Sequence, residues 1–368
     1  MDHSKTLTAM LAAILLLSGC ATTGTQFPFV YESARTSAGA VEKTLTDAEV
    51  TQAMLGYEPY AKMSEAVYRR ELRGSKEKPD TLATACAYVD SPDPQVAGLE
   101  LPKYWFRLDK KMMVRLGMET ANSPDPLRPC RGVSGLEYET YLKFDQAGKP
   151  LQAVIAFRGT ENIKRQWLSD WIANFSNVDF GVGGNAQFKE ARKEGLRLIE
   201  ALSLVLPKTK STSVCAAASG KTEGEQVPID LTGHSLGGGL AQHLAYSSKP
   251  CQVRATIAFD PSPATGWFYL HWRGDVVTKD PLIERVYIDG EALSFVRKAS
   301  TKFNLPRDNR RDVRIVFPGI DVGAFGRHSM TLLYGGILRA SEGPPTVQPP
   351  PIDDFASKVV HPEVATMN

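Results

Sequence analysis

Ser235 sits in Leu231-Thr232-Gly233-His234-Ser235-Leu236-Gly237-Gly238-Gly239-Leu240, with a glycine two residues away on each side. The run Val227-Pro228-Ile229-Asp230-Leu231 before it is patterned as a strand, and Ala241-Gln242-His243-Leu244-Ala245-Tyr246 after it as a helix. Strand, sharp turn and helix form the setting in which a Gly-x-Ser-x-Gly elbow lifts a serine hydroxyl above a sheet. The flanking positions must be tiny because strand and helix nearly touch there, and Gly233 and Gly237 meet that need. The chemistry this permits is nucleophilic attack by Ser235.

A serine hydroxyl is a weak nucleophile at neutral pH, so it needs a base to take its proton and a carboxylate to orient that base. On a sheet with such an elbow the chain order is serine, acid, histidine. Six histidines make elimination practical. His3 lies in a leader and His361 in a tail, while His234 inside the elbow is expected to point away from its neighbour. His243 falls two helical turns past Ser235. His271 lies in Trp267-Phe268-Tyr269-Leu270-His271-Trp272 and is the rival of His328, which follows the last expected strand by a loop, Pro318 to Arg327. His328 is preferred. For the acid, Asp289 and Glu291 both follow the strand Val286-Tyr287-Ile288, and Asp260 ends the strand before it.

The elements that must position these residues are legible as alternating patterns. Val50 to Arg73 reads as one or two amphipathic helices. Leu136 to Phe144 and Leu151 to Phe157 read as strands around the turn Asp145-Gln146-Ala147-Gly148-Lys149, and Gln187 to Leu206 as a helix with one apolar face. Further strands are expected at Val253–Phe259, Arg285–Ile288 and Val313–Phe317, with a closing helix from His328 to Leu338. Strands alternating with helices predict an α/β class fold, a mostly parallel central sheet flanked by helices. The domain boundaries expected are a leader at 1–19, a flexible tether at 20–49 rich in Thr, Ser, Gly and Ala, a catalytic domain at 50–340, and a Pro-rich tail at 341–368.

Two motifs together carry a resemblance. Val154-Ile155-Ala156-Phe157-Arg158-Gly159-Thr160 followed by Asp170-Trp171-Ile172, and then Gly233-His234-Ser235-Leu236-Gly237-Gly238, resemble the class 3 (fungal-type) lipase family of α/β-hydrolases. The resemblance implies an α/β-hydrolase fold and an oxyanion hole formed by Thr160, from the Phe-Arg-Gly-Ser/Thr turn, and by the amide of Leu236. It also implies a triad acid after a late strand, where Asp289-Gly290-Glu291 stands. Offset from the strand favours Glu291 and residue type favours Asp289; Glu291 is the choice. The implied function is a serine-dependent ester hydrolase on acyl lipids, a lipase or phospholipase A1, needing no cofactor and no metal. The competing readings are a serine hydrolase of non-lipid esters or amides, and a catalytically silent module that tethers envelope partners.

Ahead of the domain, Leu17-Ser18-Gly19-Cys20 resembles the lipobox of bacterial lipoproteins, preceded by Lys5 and an apolar stretch too short to span a bilayer. The resemblance implies acylation of Cys20 and a membrane-anchored envelope protein. The same resemblance implies, with Ala21 rather than Asp after the cysteine, passage to the outer membrane. An exported chain with Cys86, Cys130, Cys215 and Cys251 suggests two disulfides, Cys215–Cys251 by proximity to the elbow elements and Cys86–Cys130 as the remainder. The net charge of +2, from 43 basic and 41 acidic residues, argues against a nucleic-acid partner. Oligomeric state is not readable. Ile163, Trp167 and Trp171 recur every four residues beside Lys164 and Arg165, which fits either core packing or a helix lying at a lipid interface.

Overall fold

Among the described residues of this computed structural model, nine strands form one sheet. The structure describes residues 27–36, 39–68, 101–120, 123, 125–130, 136–159, 186–211, 224–278, 280–294, 310–319 and 322–344. The strands are β1 (Phe29–Thr36), β2 (Gly39–Thr44), β3 (Trp105–Arg107), β4 (Tyr138–Phe144), β5 (Pro150–Phe157), β8 (Ile229–His234), β9 (Ala255–Phe259), β10 (Ile283–Ile288) and β11 (Arg310–Val316). Their order across the sheet is β2-β1-β11-β10-β9-β8-β5-β4-β3. A separate small hairpin, β6 (Thr209–Ser211) with β7 (Gly224–Gln226), falls in the stretch the sequence marks only as a polar loop. The helices are α1 (Asp47–Ala66), α2 (Lys110–Arg115), α3 (Ala186–Val205), α4 (Leu236–Ser247), α5 (Trp267–Trp272), α6 (Ala324–Arg327) and α7 (Met330–Ser341).

The five central strands, β5, β8, β9, β10 and β11, run parallel, and antiparallel pairs close both edges. This is the mostly parallel sheet of an α/β-hydrolase. Side chains alternate across it as strand geometry requires. On β5, Ala153, Ile155 and Phe157 enter one core with α3 and α4, while Val154 and Ala156 enter the other with α1 and α7. Both faces are therefore buried, which is why β5 reads as a near-continuous apolar run, while β8 buries Asp230 and Thr232 with hydrogen-bond partners.

One boundary is corrected. The segment expected to be a tether through residue 49 is structured from Phe29 onward, as a hairpin whose first strand pairs antiparallel with β11. Its composition misleads because it is an edge element: Val30 is fully buried, while Phe29 and Val41 are half exposed or more. Thr and Ser suit such a strand as well as they suit a linker. Helix α1 then starts at a capping box, with the Thr46 side chain and Glu49 each serving the other's backbone amide. It is one helix, ending at Ala66. The leader, Cys20 and residues 345–368 of the tail lie outside the described residues. Among the described residues, no helix is long and apolar enough to cross a membrane.

Candidate active site

Parallel strands in an open sheet place their carboxyl ends along one edge, where loops can converge. Three such ends meet here: Ser235 directly after β8, Glu291 three residues after β10, and His328 beyond β11.

Ser235 has φ 56° and ψ −123°, a conformation costly for any side-chain-bearing residue. The surrounding structure holds it there. Its amide donates to the Phe259 carbonyl at 3.0 Å, and its own carbonyl accepts from the Ser262 amide at 2.9 Å. The elbow glycines are needed for close approach. A Cβ on Gly233 would lie 2.5 Å from the Gly237 backbone, and one on Gly237 would collide with the Phe157 carbonyl. Strand, elbow and helix are thus in backbone contact, and Ser235 is buried, at 5% exposure.

The Ser235 Oγ lies 2.9 Å from His328 Nε2, and His328 Nδ1 lies 2.8 Å from Glu291 Oε2. A carboxylate oxygen only accepts, so Nδ1 carries the imidazole proton and Nε2 is left to accept from the serine hydroxyl. That tautomer is the one a general base needs. Glu291 is buried, and the Leu293 amide donates to the same Oε2 at 2.7 Å, fixing the carboxylate.

The other two carboxylates have different surroundings. Asp289 is about one-third exposed, with a carboxylate oxygen 3.6 Å from Arg314. Asp260, wholly buried, accepts from the Ile288 amide at 3.0 Å and so ties β9 to β10. Of the remaining histidines, His271 stacks on Trp267 at 4.7 Å. Its helix packs through Leu270 on Tyr246 and Ile283, at the end of α4 remote from Ser235. His243 is buried, donates from Nδ1 to the Thr265 carbonyl at 3.0 Å, and is pushed down to about 4 chiefly by burial.

Leu236 is the first residue of α4, where the amide has no partner within the helix and points outward from a positive helix end. The turn after β5 passes against the nucleophile: a Cβ on Gly159 would lie 3.1 Å from Ser235 Cβ. Thr160, the next residue, lies outside the described residues, as do Cys20, Cys86, Cys215 and the stripe of Ile163, Trp167 and Trp171.

Two participants escaped sequence reasoning. His234 does not stand clear of the site: its ring lies 4.9 Å from that of His328, and its Nε2 is 3.0 Å from the His328 carbonyl. Tyr68, at the end of α1, meets its other nitrogen at 2.6 Å. The one available signal was that the residue before the nucleophile is itself a histidine. His234, Asp260 and His328 also bring potential ligand atoms within 4.8 Å of one another. All four nitrogens of the two rings already hold hydrogen bonds, so this cluster has no ring nitrogen to spare for a cation.

A strained serine elbow at the carboxyl edge of a mostly parallel sheet, hydrogen-bonded in series to a histidine and a buried carboxylate, defines a serine hydrolase site of the α/β-hydrolase class. Residues 154–255 match the family described as lipase (class 3). No curated protein matches the chain. Among solved structures, extracellular lipase LipA from Serratia marcescens is similar at 14% identity over 67% of this chain, with a TM-score of 0.27. The chain spans 39% of that lipase's length. An esterase from Pyrobaculum calidifontis is similar at 11% identity over 63% of this chain and 85% of its own, with a TM-score of 0.30. Likeness at this level leaves the fold assignment to the sheet and the elbow themselves.

Proposed function

We propose that the protein is a serine-dependent carboxylic ester hydrolase acting on acyl lipids, a lipase or phospholipase A1, with Ser235 as nucleophile, His328 as base and Glu291 as acid. The observation that carries this reading is the unbroken chain Ser235 Oγ, His328 Nε2, His328 Nδ1, Glu291 Oε2, with contacts of 2.9 and 2.8 Å. In the reaction, Nε2 takes the hydroxyl proton as Oγ attacks the ester carbonyl. The imidazolium then gives that proton to the departing alcohol as the acyl–enzyme forms. Water repeats the sequence and releases the fatty acid. The amide of Leu236 and the turn at Thr160 are the proposed donors to the tetrahedral oxyanion, where losing one donor typically costs about 3 kcal/mol. Glu291 stays ionised and pairs with the imidazolium.

Anchoring through acylated Cys20 is the proposed route to a membrane, and would keep the site near its lipid substrate in the bacterial envelope. Disulfides Cys86–Cys130 and Cys215–Cys251 are proposed with it, on the reading of an exported chain with four further cysteines.

The test uses the mature protein and its Ser235→Ala variant with a fluorophosphonate probe, p-nitrophenyl esters, defined glycerophospholipids and triacylglycerols. The expected result is labelling and fatty-acid release by the wild type, both abolished in the variant. Labelling with turnover of soluble esters or amides alone would move the substrate away from lipids. Absence of labelling would leave the silent-module reading.

A further inference from the structure

Ser235, His328 and Glu291 account for the chemistry, but His234 lies in the same buried space and has no part in that scheme. Its ring is tilted 39° against that of His328. Its Nε2 faces the His328 carbonyl oxygen at 3.0 Å, and a carbonyl can only accept, so Nε2 carries the proton. A neutral imidazole has one such proton, which makes Nδ1 an acceptor and the Tyr68 hydroxyl, 2.6 Å away, the donor to it. The Asp260 carboxylate, 4.0 Å from Nε2, favours the proton on that nitrogen.

Tyr68 is itself fixed. The Arg158 guanidinium lies 5.7 Å from its ring centroid and is ion-paired with Glu137. Its amide donates to the Glu65 carbonyl at 3.1 Å. The Glu65 carboxylate in turn accepts from the Thr331 hydroxyl at 2.8 Å, in the first turn of α7. The end of α1 therefore holds the base on both sides: through Tyr68 and His234 at the His328 carbonyl, and through Glu65 three residues later. His328 lies in the short link between α6 and α7, where the main chain decides which way the imidazole faces.

We propose that His234 is a positioning residue for the base: it holds the His328 main chain so that Nε2 meets Ser235 while Nδ1 meets Glu291, and Tyr68 sets the tautomer it needs. This inference rests on the catalytic reading above. His234 touches no reacting atom and acts through His328. The effect is therefore on turnover and not on binding, because a misplaced base leaves the acyl and alcohol sites intact. A displacement of about 1 Å in such a group is worth roughly 100-fold in rate.

The test compares His234→Leu, His234→Gln and Tyr68→Phe with the wild type in the full-length protein. His234→Leu keeps bulk and loses both hydrogen bonds. It should lower kcat on a soluble p-nitrophenyl ester by about 100-fold with KM unchanged. His234→Gln places an amide donor where Nε2 stood and should restore most of that loss. Tyr68→Phe, which keeps every ring contact, should fall between, at about tenfold. A readout free of substrate accompanies these: the far-downfield proton resonance of the His328–Glu291 hydrogen bond, assigned by its disappearance in Glu291→Gln. It should be sharp in the wild type and in His234→Gln, and lost in His234→Leu at temperatures where circular dichroism shows both folded. Full kcat with an unchanged resonance in His234→Leu overturns the proposal. So does failure of His234→Gln to rescue when it is as stable as the wild type. If the resonance responds as stated but no ester is hydrolysed by the wild type, the positioning role stands and the ester hydrolase reading fails.

Discussion

Glu291 Oε2 receives two hydrogen bonds, one from His328 Nδ1 at 2.8 Å and one from the Leu293 amide at 2.7 Å. The second is local and orients the first, so the Glu291 carboxylate is aimed at His328 by its own turn. That turn is tied to the base loop twice over: Arg327 donates to the Asp289 carbonyl at 3.2 Å, and the Ala292 amide donates to the Ala324 carbonyl at 3.0 Å.

Glu291→Gln should lower kcat by about 10⁴-fold, because the imidazolium loses its counter-charge and the amide group can impose the wrong tautomer on the histidine. Asp289→Asn should stay near wild type, since its carboxylate faces Arg314 at the surface. Asp260→Asn should lower the melting temperature through its contact with the Ile288 amide and cost less in kcat than Glu291→Gln, because its carboxylate reaches the base only through His234. Steady-state kinetics and thermal melts of the three variants separate these outcomes. A 10⁴-fold loss at Asp289 with a mild one at Glu291 would reassign the acid.

Gly290 has φ +73°, and a Cβ there would lie 2.8 Å from the Arg327 guanidinium. Gly290→Ala should therefore cost about 1–2 kcal/mol in stability from the left-handed backbone alone. It should also lower kcat by pushing Arg327 off the Asp289 carbonyl. Urea unfolding and single-substrate kinetics read the two effects. A variant as stable and as active as wild type would show that the acid turn tolerates either sense of φ.

The tryptophan stripe gives an interfacial test. If Ile163, Trp167 and Trp171 lie at a lipid surface, Trp167→Ser should reduce hydrolysis of aggregated lipid far more than that of a soluble short-chain ester, since indole rings favour headgroup depth. Parallel losses on both substrates, tracking a lower melting temperature, would assign the stripe to core packing.

What the sequence disclosed and what it hid divide along a physical line. The elbow was legible because close backbone approach demands glycine at fixed offsets, and β5 and β9 because burial on both faces makes them largely apolar. His328, the proposed base, was reachable by elimination among six histidines. The edge hairpin β1–β2 was not, because an edge strand buries one side at most and its composition matches a linker's. Tyr68 and His234 were hidden for a different reason. Their contact spans 166 residues of sequence, and no local pattern records which buried polar groups will share a proton.

His243 supplies a pH test that is independent of catalysis. It is buried on α4 against Phe188, and burial holds it down at about 4, against an ordinary value near 6.5. Arg192 pushes it the same way, while the Thr265 carbonyl and Asp275 oppose the shift. Above pH 6.5 the ring is neutral in folded and unfolded chains alike, and its contribution to stability is fully present. Between pH 6.5 and 4 the unfolded chain takes up the proton and the folded one does not, so stability falls as pH falls. Below pH 4 both states are protonated and the loss levels off, at a total on the order of 3 kcal/mol for a shift of this size. His243→Asn places an amide donor where Nδ1 faced the Thr265 carbonyl and cannot titrate. Its urea-unfolding free energy should therefore decline less than that of the wild type between pH 7 and pH 4.5. Measuring both proteins at several pH values in that window isolates this group, since all other titrations are common to the pair. Curves that run parallel throughout would mean that His243 is protonated as readily in the folded protein as in the unfolded chain.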